Sequence, residues 1–170
     1  MALGQHRTII QIVGFQNSGK TTLAEKLIHA ATEKGYRVGA IKHHGHGGVP
    51  QTNVGKDSTR HAQAGAVVAA VEGEGVVQLQ LTDDAFELSK LIALYETMLV
   101  NCIIVEGYKT AEYPKVVLLK SVSDLKLMQL EHVVAAIRWP DFPDIFFRDI
   151  PVFDLADEQQ YIEYLLREKA

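Results

Sequence analysis

The chain has 170 residues, with 17 lysines and arginines against 21 aspartates and glutamates, a formal net charge of −4. That length fits one compact domain, and 47% hydrophobic with 22% charged residues supplies a sizeable core and argues against a disordered chain. A mildly acidic chain lacks the general positive field that holds phosphate backbones regardless of sequence, which argues against a nucleic acid partner. Cys102 is the only cysteine, so no internal disulfide or all-cysteine metal site can form. The apolar runs are strand-length, short of the roughly 18 residues that suggest a membrane span, and the polar start Met1–Arg7 has no signal-peptide core. These features read as a cytoplasmic protein with no membrane segment and a single domain over residues 1–170.

Thr8–Val13, TIIQIV, is rich in β-branched residues and stops at Gly14, the pattern of a buried strand. Leu23, Leu27 and Ala31, with Ala24 and Ile28 beside them, recur at helical spacing, and Gly35 stands at the C-terminal cap. Arg37–Lys42 follows as a second strand. Strand, glycine-rich turn, helix and strand make a βαβ unit, whose crossover implies parallel pairing. Residues 43–57 read as a long surface loop, after which Asp57 or Ser58 can cap a helix over Thr59–Gly65. Ala66–Val71 and Val76–Leu81 flank Glu72–Gly75 as a hairpin. In its second arm Val77, Leu79 and Leu81 alternate with Gln78 and Gln80, as on an edge strand able to pair with another subunit.

Asp84 with Glu87 has the form of a capping box before a helical face of Leu88, Leu91, Ile92, Tyr95 and Leu99. Cys102–Val105, Lys115–Leu119 and Val133–Ile137 are further strands. Residues 138–150, with Trp139, three phenylalanines and two prolines, read as a structured loop, and Asp154 with Asp157 opens a last helix through Tyr161 and Leu165. The expected fold is α/β in three layers: a mostly parallel sheet with helices on both faces, plus an edge β-hairpin.

Gly14-Phe15-Gln16-Asn17-Ser18-Gly19-Lys20-Thr21 matches G-x-x-x-x-G-K-[ST], the phosphate-binding loop, between a predicted strand and a predicted helix. Its glycines let successive N–H groups point at phosphate oxygens, and the helix N-terminus adds donors and partial positive charge. Lys20 would reach the β- and γ-phosphates, and the Thr21 hydroxyl would ligate Mg²⁺. A triphosphate site also needs an acidic metal ligand at a strand end. Glu106, closing the run Cys102–Val105, is one candidate: a solvated strand-end glutamate is the plainer reading in isolation, and the phosphate loop favours the metal role. Asp57 is the second candidate, in Gly55-Lys56-Asp57-Ser58, and Ser58, Arg60 and His61 would then lie near the phosphates.

Lys42-His43-His44-Gly45-His46 admits three readings: a soft-metal site, an anion cradle for a phosphorylated ligand, or a flexible polar loop.

The segments GFQNSGKTTL, VGAIKHHGH, GKDSTRHAQAGA and IIVEGYK, in this order, resemble the molybdopterin-guanine dinucleotide biosynthesis adaptor family, the MobB-type GTP-binding proteins. The resemblance implies a P-loop NTPase fold and a homodimer that binds GTP and Mg²⁺. It also implies at most weak GTPase activity and a role assisting the guanylyltransferase that attaches GMP to molybdopterin. It places the phosphates on Gly14, Asn17, Ser18, Gly19, Lys20, Thr21 and Thr22, and the metal near Thr21, Asp57 and Glu106. Lys20, Asp57 and Glu106 would carry any hydrolysis. Lys42, His43, His44, His46, Arg60 and Lys109 become candidates for contact with the pterin phosphate or the partner enzyme.

The chain departs from related proteins in two ways. It has no Asn-Lys-x-Asp run for guanine, so preference for GTP rests on the resemblance, with Arg138–Asp141 positioned as a base contact. Phe15 stands where related dimeric ATPases carry a lysine that reaches across the dimer, which disfavours a trans-acting hydrolase. Gln16 and His61 are candidates to position water. Two other readings stay open: a P-loop ligase or kinase of the dethiobiotin synthetase type, from the strand-end Glu-Gly, and a GTP-dependent metallochaperone using the histidines.

Overall fold

The computed structural model describes residues 8–45, 56–83 and 86–167, except the side chains of Lys56, Asp57 and Ser58. His46 and the Asp84 of the expected capping box lie outside the described residues. In chain order the elements are β1 (Thr8–Val13), α1 (Lys20–Glu33), β2 (Val38–Lys42), α2 (Lys56–Gln63), β3 (Val68–Gly73), β4 (Val76–Leu81), α3 (Leu88–Thr97), β5 (Cys102–Glu106), β6 (Lys115–Leu119), a 3-10 helix (Val122–Gln129), β7 (Val133–Arg138), β8 (Val152–Asp154) and α4 (Glu158–Leu165). They form two compact units, residues 1–45 with 88–170 and residues 46–87.

The first unit is built on a six-stranded sheet in the order β2-β5-β1-β6-β7-β8, every neighbouring pair parallel. Period-2 alternation sorts its side chains. Ile10, Ile12, Cys102, Ile104, Val116, Leu118, Ala135 and Ile137 pack with Leu23, Leu27 and Ala31 of α1 and Tyr161 and Leu165 of α4. Their neighbours turn to the other face. Val13, Val117, Leu119 and Ala136 meet Leu127 of the 3-10 helix and Phe142, while Ile41, Ile103 and Val105 meet Leu88 and Ile92 of α3. Burial in this core pushes the Cys102 thiol up to about 11 and leaves it inert. β2 accepts α3 closely because residue 39 is glycine. A Cβ there would lie 2.4 Å from the Tyr95 ring, whose hydroxyl donates to Ala40 O at 2.7 Å.

Two elements were not expected. β8 has only three residues, too few to show a period, and Val122–Gln129 lacks helical apolar spacing. The 3-10 helix is started instead by Asp124, whose buried carboxylate accepts from the backbone N–H of Lys120 at 2.7 Å and of Ser121 at 2.8 Å.

Eight residues, 107–114, carry the chain from β5 past β1 to the parallel β6, fewer than the dozen or so a parallel crossover usually takes. The short path works because β6 starts high on the sheet, with Lys115 level with Gln11. These register neighbours are fully buried on one face, and both donate to the crossing segment. Gln11 Nε2 reaches Gly107 O at 2.7 Å and also Tyr108 O. Lys115 Nζ reaches Tyr113 O at 3.1 Å and also Ala111 O, while burial holds its pKa below the usual lysine value.

In the second unit, α2 begins at Lys56, three residues before the expected start. Asp57 and Ser58 therefore lie inside the helix rather than ahead of it as caps. The expected hairpin forms as a two-stranded antiparallel sheet of its own, in register from Val68↔Leu81 to Gly73↔Val76. Glu74 and Gly75 turn it with φ of 51° and 81°, the paired positive angles that suit a two-residue hairpin turn. Among the described residues no helix is long and apolar enough to cross a membrane.

Candidate functional site

Between buried Val13 and the first residue of α1 the backbone curls tightly, with Asn17 at φ 58° and Gly19 at φ 91°. A side chain on Gly14 would not fit, since its Cβ would fall 2.3 Å from Ser18 Oγ. Ser18 is itself buried, and among the described residues its hydroxyl has no hydrogen-bond partner. Three donors hold the loop's carbonyls: Lys20 Nζ on Phe15 O at 2.7 Å, Lys120 Nζ on Asn17 O at 3.1 Å, and Trp139 Nε1 on Ser18 O at 3.1 Å. With its carbonyls tied down at the C-terminal edge of the sheet, the loop presents the α1 N-terminus, a ready place for an anion.

α1, β2 and β5 bring three polar side chains together at this edge. Thr21 Oγ1, in the first turn of α1, lies 3.0 Å from Glu106 Oε2 and 3.2 Å from Oε1. Lys42 Nζ donates to Thr21 Oγ1 at 3.0 Å and pairs with Glu106 Oε1 at 3.2 Å. Lys42 and Glu106 keep their places because β2 and β5 are in register, Lys42 beside Glu106. A hydroxyl and a carboxylate already share a cation, and oxygen donors of this kind suit a hard divalent ion. The residues present thus fit Mg²⁺.

The chain then turns sharply. His43 N donates to Glu106 O at 2.9 Å and Gly107 N to Ile12 O at 3.0 Å. Gly107 has φ 92°, and a Cβ on it would press His43 Cβ at 3.0 Å. Tyr108 follows at φ 50°, its ring centroid 4.6 Å from that of His43. Lys109 Nζ then sits 4.2 Å from the centroid of the Phe15 ring. Burial holds Lys20 below the usual lysine pKa. Glu106 opposes that shift, and the charges of Lys109 and Lys42 add to it.

The loop, Lys20, Thr21, Glu106, Lys42, His43 and Lys109 are all placed at this one edge. Thr22 is exposed on α1, and His44 is exposed after β2. Asp57 and Arg60 lie on α2, in the other unit. Among the described residues no three of His, Cys, Asp or Glu converge as a metal cluster, and His43 faces Tyr108 rather than another ligand. Arg138, expected near a base, pairs with Asp144 and Asp154. These hydrogen bonds raise its pKa, Asp154 first, and Arg138 in turn lowers that of Asp154.

Sequence reading missed Gln11, Lys120 and Lys126, and took Trp139 only as part of the base-contact segment Arg138–Asp141, where its indole instead holds the phosphate loop. The available signal for Gln11 was a glutamine in an otherwise aliphatic strand.

The family model for molybdopterin guanine dinucleotide synthesis protein B matches residues 9–139. A probable molybdopterin-guanine dinucleotide biosynthesis adapter protein of Bacillus subtilis is 44% identical over 167 residues, covering 98% of this chain and 95% of that protein. The crystal structure of Bacillus subtilis MobB superposes with a TM-score of 0.83 at 42% identity, covering 94% of this chain and 96% of the other. A MobB homologue from Bacillus stearothermophilus gives 0.75 at 38% identity, with the same coverage. With the phosphate loop and the Thr21–Glu106 pair in place, these matches show that the chain belongs to the molybdopterin guanine dinucleotide synthesis protein B family, and so to molybdenum cofactor biosynthesis.

Proposed function

We propose that the chain is a GTP-binding adapter that works through the guanylyltransferase attaching GMP to molybdopterin. The observation that carries this is the meeting of Thr21 and Glu106 around one cation at the mouth of a phosphate loop. Gly14 and Asn17–Thr22 would hold the phosphates, Lys20 turning its ammonium from Phe15 O toward them. Thr21 and Glu106 would hold Mg²⁺, with Asp57 as the further carboxylate that the sequence suggests. Bound Mg²⁺ neutralises phosphate charge and orients the terminal group. Lys42 keeps the carboxylate neutralised when no nucleotide is bound.

Hydrolysis is expected to be slow, because Phe15 supplies no second ammonium across a dimer. The adapter role draws on the relatives' names, and the guanine preference on the resemblance to their sequences. Calorimetric titration with GTP and ATP, with and without Mg²⁺, tests the site, and failure to bind either nucleotide would end the proposal. Co-purification and activity of the guanylyltransferase with and without GTP test the adapter role.

A further inference from the structure

We propose that Lys109 and Lys126, gathered over the Phe15 ring, form a second anion site beside the nucleotide loop, for the phosphate of a phosphomonoester. The proposal rests on the adapter reading above and adds to it a place for the acceptor's phosphate. Lys109 Nζ is 4.2 Å and Lys126 Nζ 4.6 Å from the same ring centroid, so the two ammonium groups are at most 8.8 Å apart, the sum of those distances. Among the described residues no carboxylate pairs with either. The Lys109 charge is also felt at Lys20, where it depresses the pKa alongside Lys42.

Like charges repel, and what holds each of these two in place is the π system of the same aromatic ring. A cation–π contact in a partly exposed place is a weak hold. Charge-assisted hydrogen bonds to a dianionic phosphate are stronger, so an arriving phosphate would draw both ammonium groups off the ring. Phe15 thus keeps the pair gathered until its ligand binds.

The site is separate from the one that takes nucleotide. Phe15 packs with Val13, Leu119 and Leu127 on the sheet face under the 3-10 helix, whereas α1, whose N-terminus would take nucleotide phosphates, covers the opposite face. Lys109 is placed by the Gly107–Tyr108 turn, which Gln11 fixes from below. Lys126 comes from the 3-10 helix that Asp124 starts. Both ammonium groups are therefore carried on braced backbone.

The test loads the protein with a non-hydrolysable GTP analogue and Mg²⁺, filling the loop through its terminal phosphate. It then titrates three probes by calorimetry: 6-hydroxymethylpterin monophosphate, the unphosphorylated pterin, and inorganic phosphate. Saturable binding of the phosphorylated pterin, at least tenfold tighter than its parent, is expected. The K109Q/K126Q double variant should lose it by tenfold or more. F15L should weaken it less, because both charges remain. Equal binding of inorganic phosphate would support the anion site, with the phosphate group carrying the affinity. No binding to the analogue-loaded protein, equal binding of both pterins, or unchanged affinity in a double variant with wild-type circular dichroism would overturn it. Since each run begins with the analogue bound, failure of nucleotide binding shows at the loading step and counts against the adapter reading instead.

Discussion

Lys20 is where local chemistry is most exposed to test. Its ammonium is partly buried, with the Glu106 charge lowering the cost, and it bonds a loop carbonyl. Replacing it by alanine removes the group that would answer the phosphates. K20A should weaken GTP binding by roughly a hundredfold while thermal unfolding changes little, because Lys20 closes no core contact. The lowered pKa has a second consequence. Well below that value, the side chain is charged in both folded and unfolded chains, and burial costs stability. Between the lowered value and 10.5, the unfolded chain holds a proton that the folded chain has released, so stability rises with pH through that window. An anion in the loop favours the charged form again, so nucleotide binding within the window should take up protons. Calorimetry in buffers of different ionisation enthalpy would show it, and heats independent of buffer would refute it.

At the level of elements, the strands could be read from β-branched runs and the phosphate loop from a local pattern. The crossing segment 107–114 could not. It needs donors because its carbonyls pass over the sheet face, and those donors come from β1 and β6, strands far apart in sequence. Gln11 and Lys115 fill this need only because the strand order is β5-β1-β6. Q11L keeps the volume but strands two carbonyls, and should cost about 2 kcal/mol in urea unfolding. Q11E should cost more, since a carboxylate would face those carbonyls without a proton to give. A smaller loss for Q11E than for Q11L would mean that Gln11 does not act as the donor. The same dependence on strand order hid Lys120 and Trp139 as supports of the loop. Each lies just past a strand end, but only the placement of β6 beside β1, with β7 next to β6, aims it at Asn17 or Ser18.

Over the whole molecule, the hairpin is the part least accounted for by one chain. Val68, Val71, Val76, Val77 and Leu79 are all exposed, and they belong to a two-stranded sheet. Such a hairpin is marginal alone, and bare apolar strands invite pairing. We propose that a second copy covers it. Light scattering should then give twice the 18.8 kDa chain mass, and V71K/V77K should reduce it to one chain mass. A wild-type monomer at tens of micromolar would dismiss this arrangement. The sequence by itself determined the βαβ start, the phosphate loop and the strand-end glutamate, because each depends on residues close together in the chain and on the chemistry phosphate demands. Only the tertiary structure decided that Lys42 bridges Thr21 and Glu106, and that Gln11 and Lys115 carry the crossover. It alone gathers Lys109 and Lys126 on Phe15. These contacts join residues from separate elements, and sheet order and register, set by burial of the whole core, determine which of them meet.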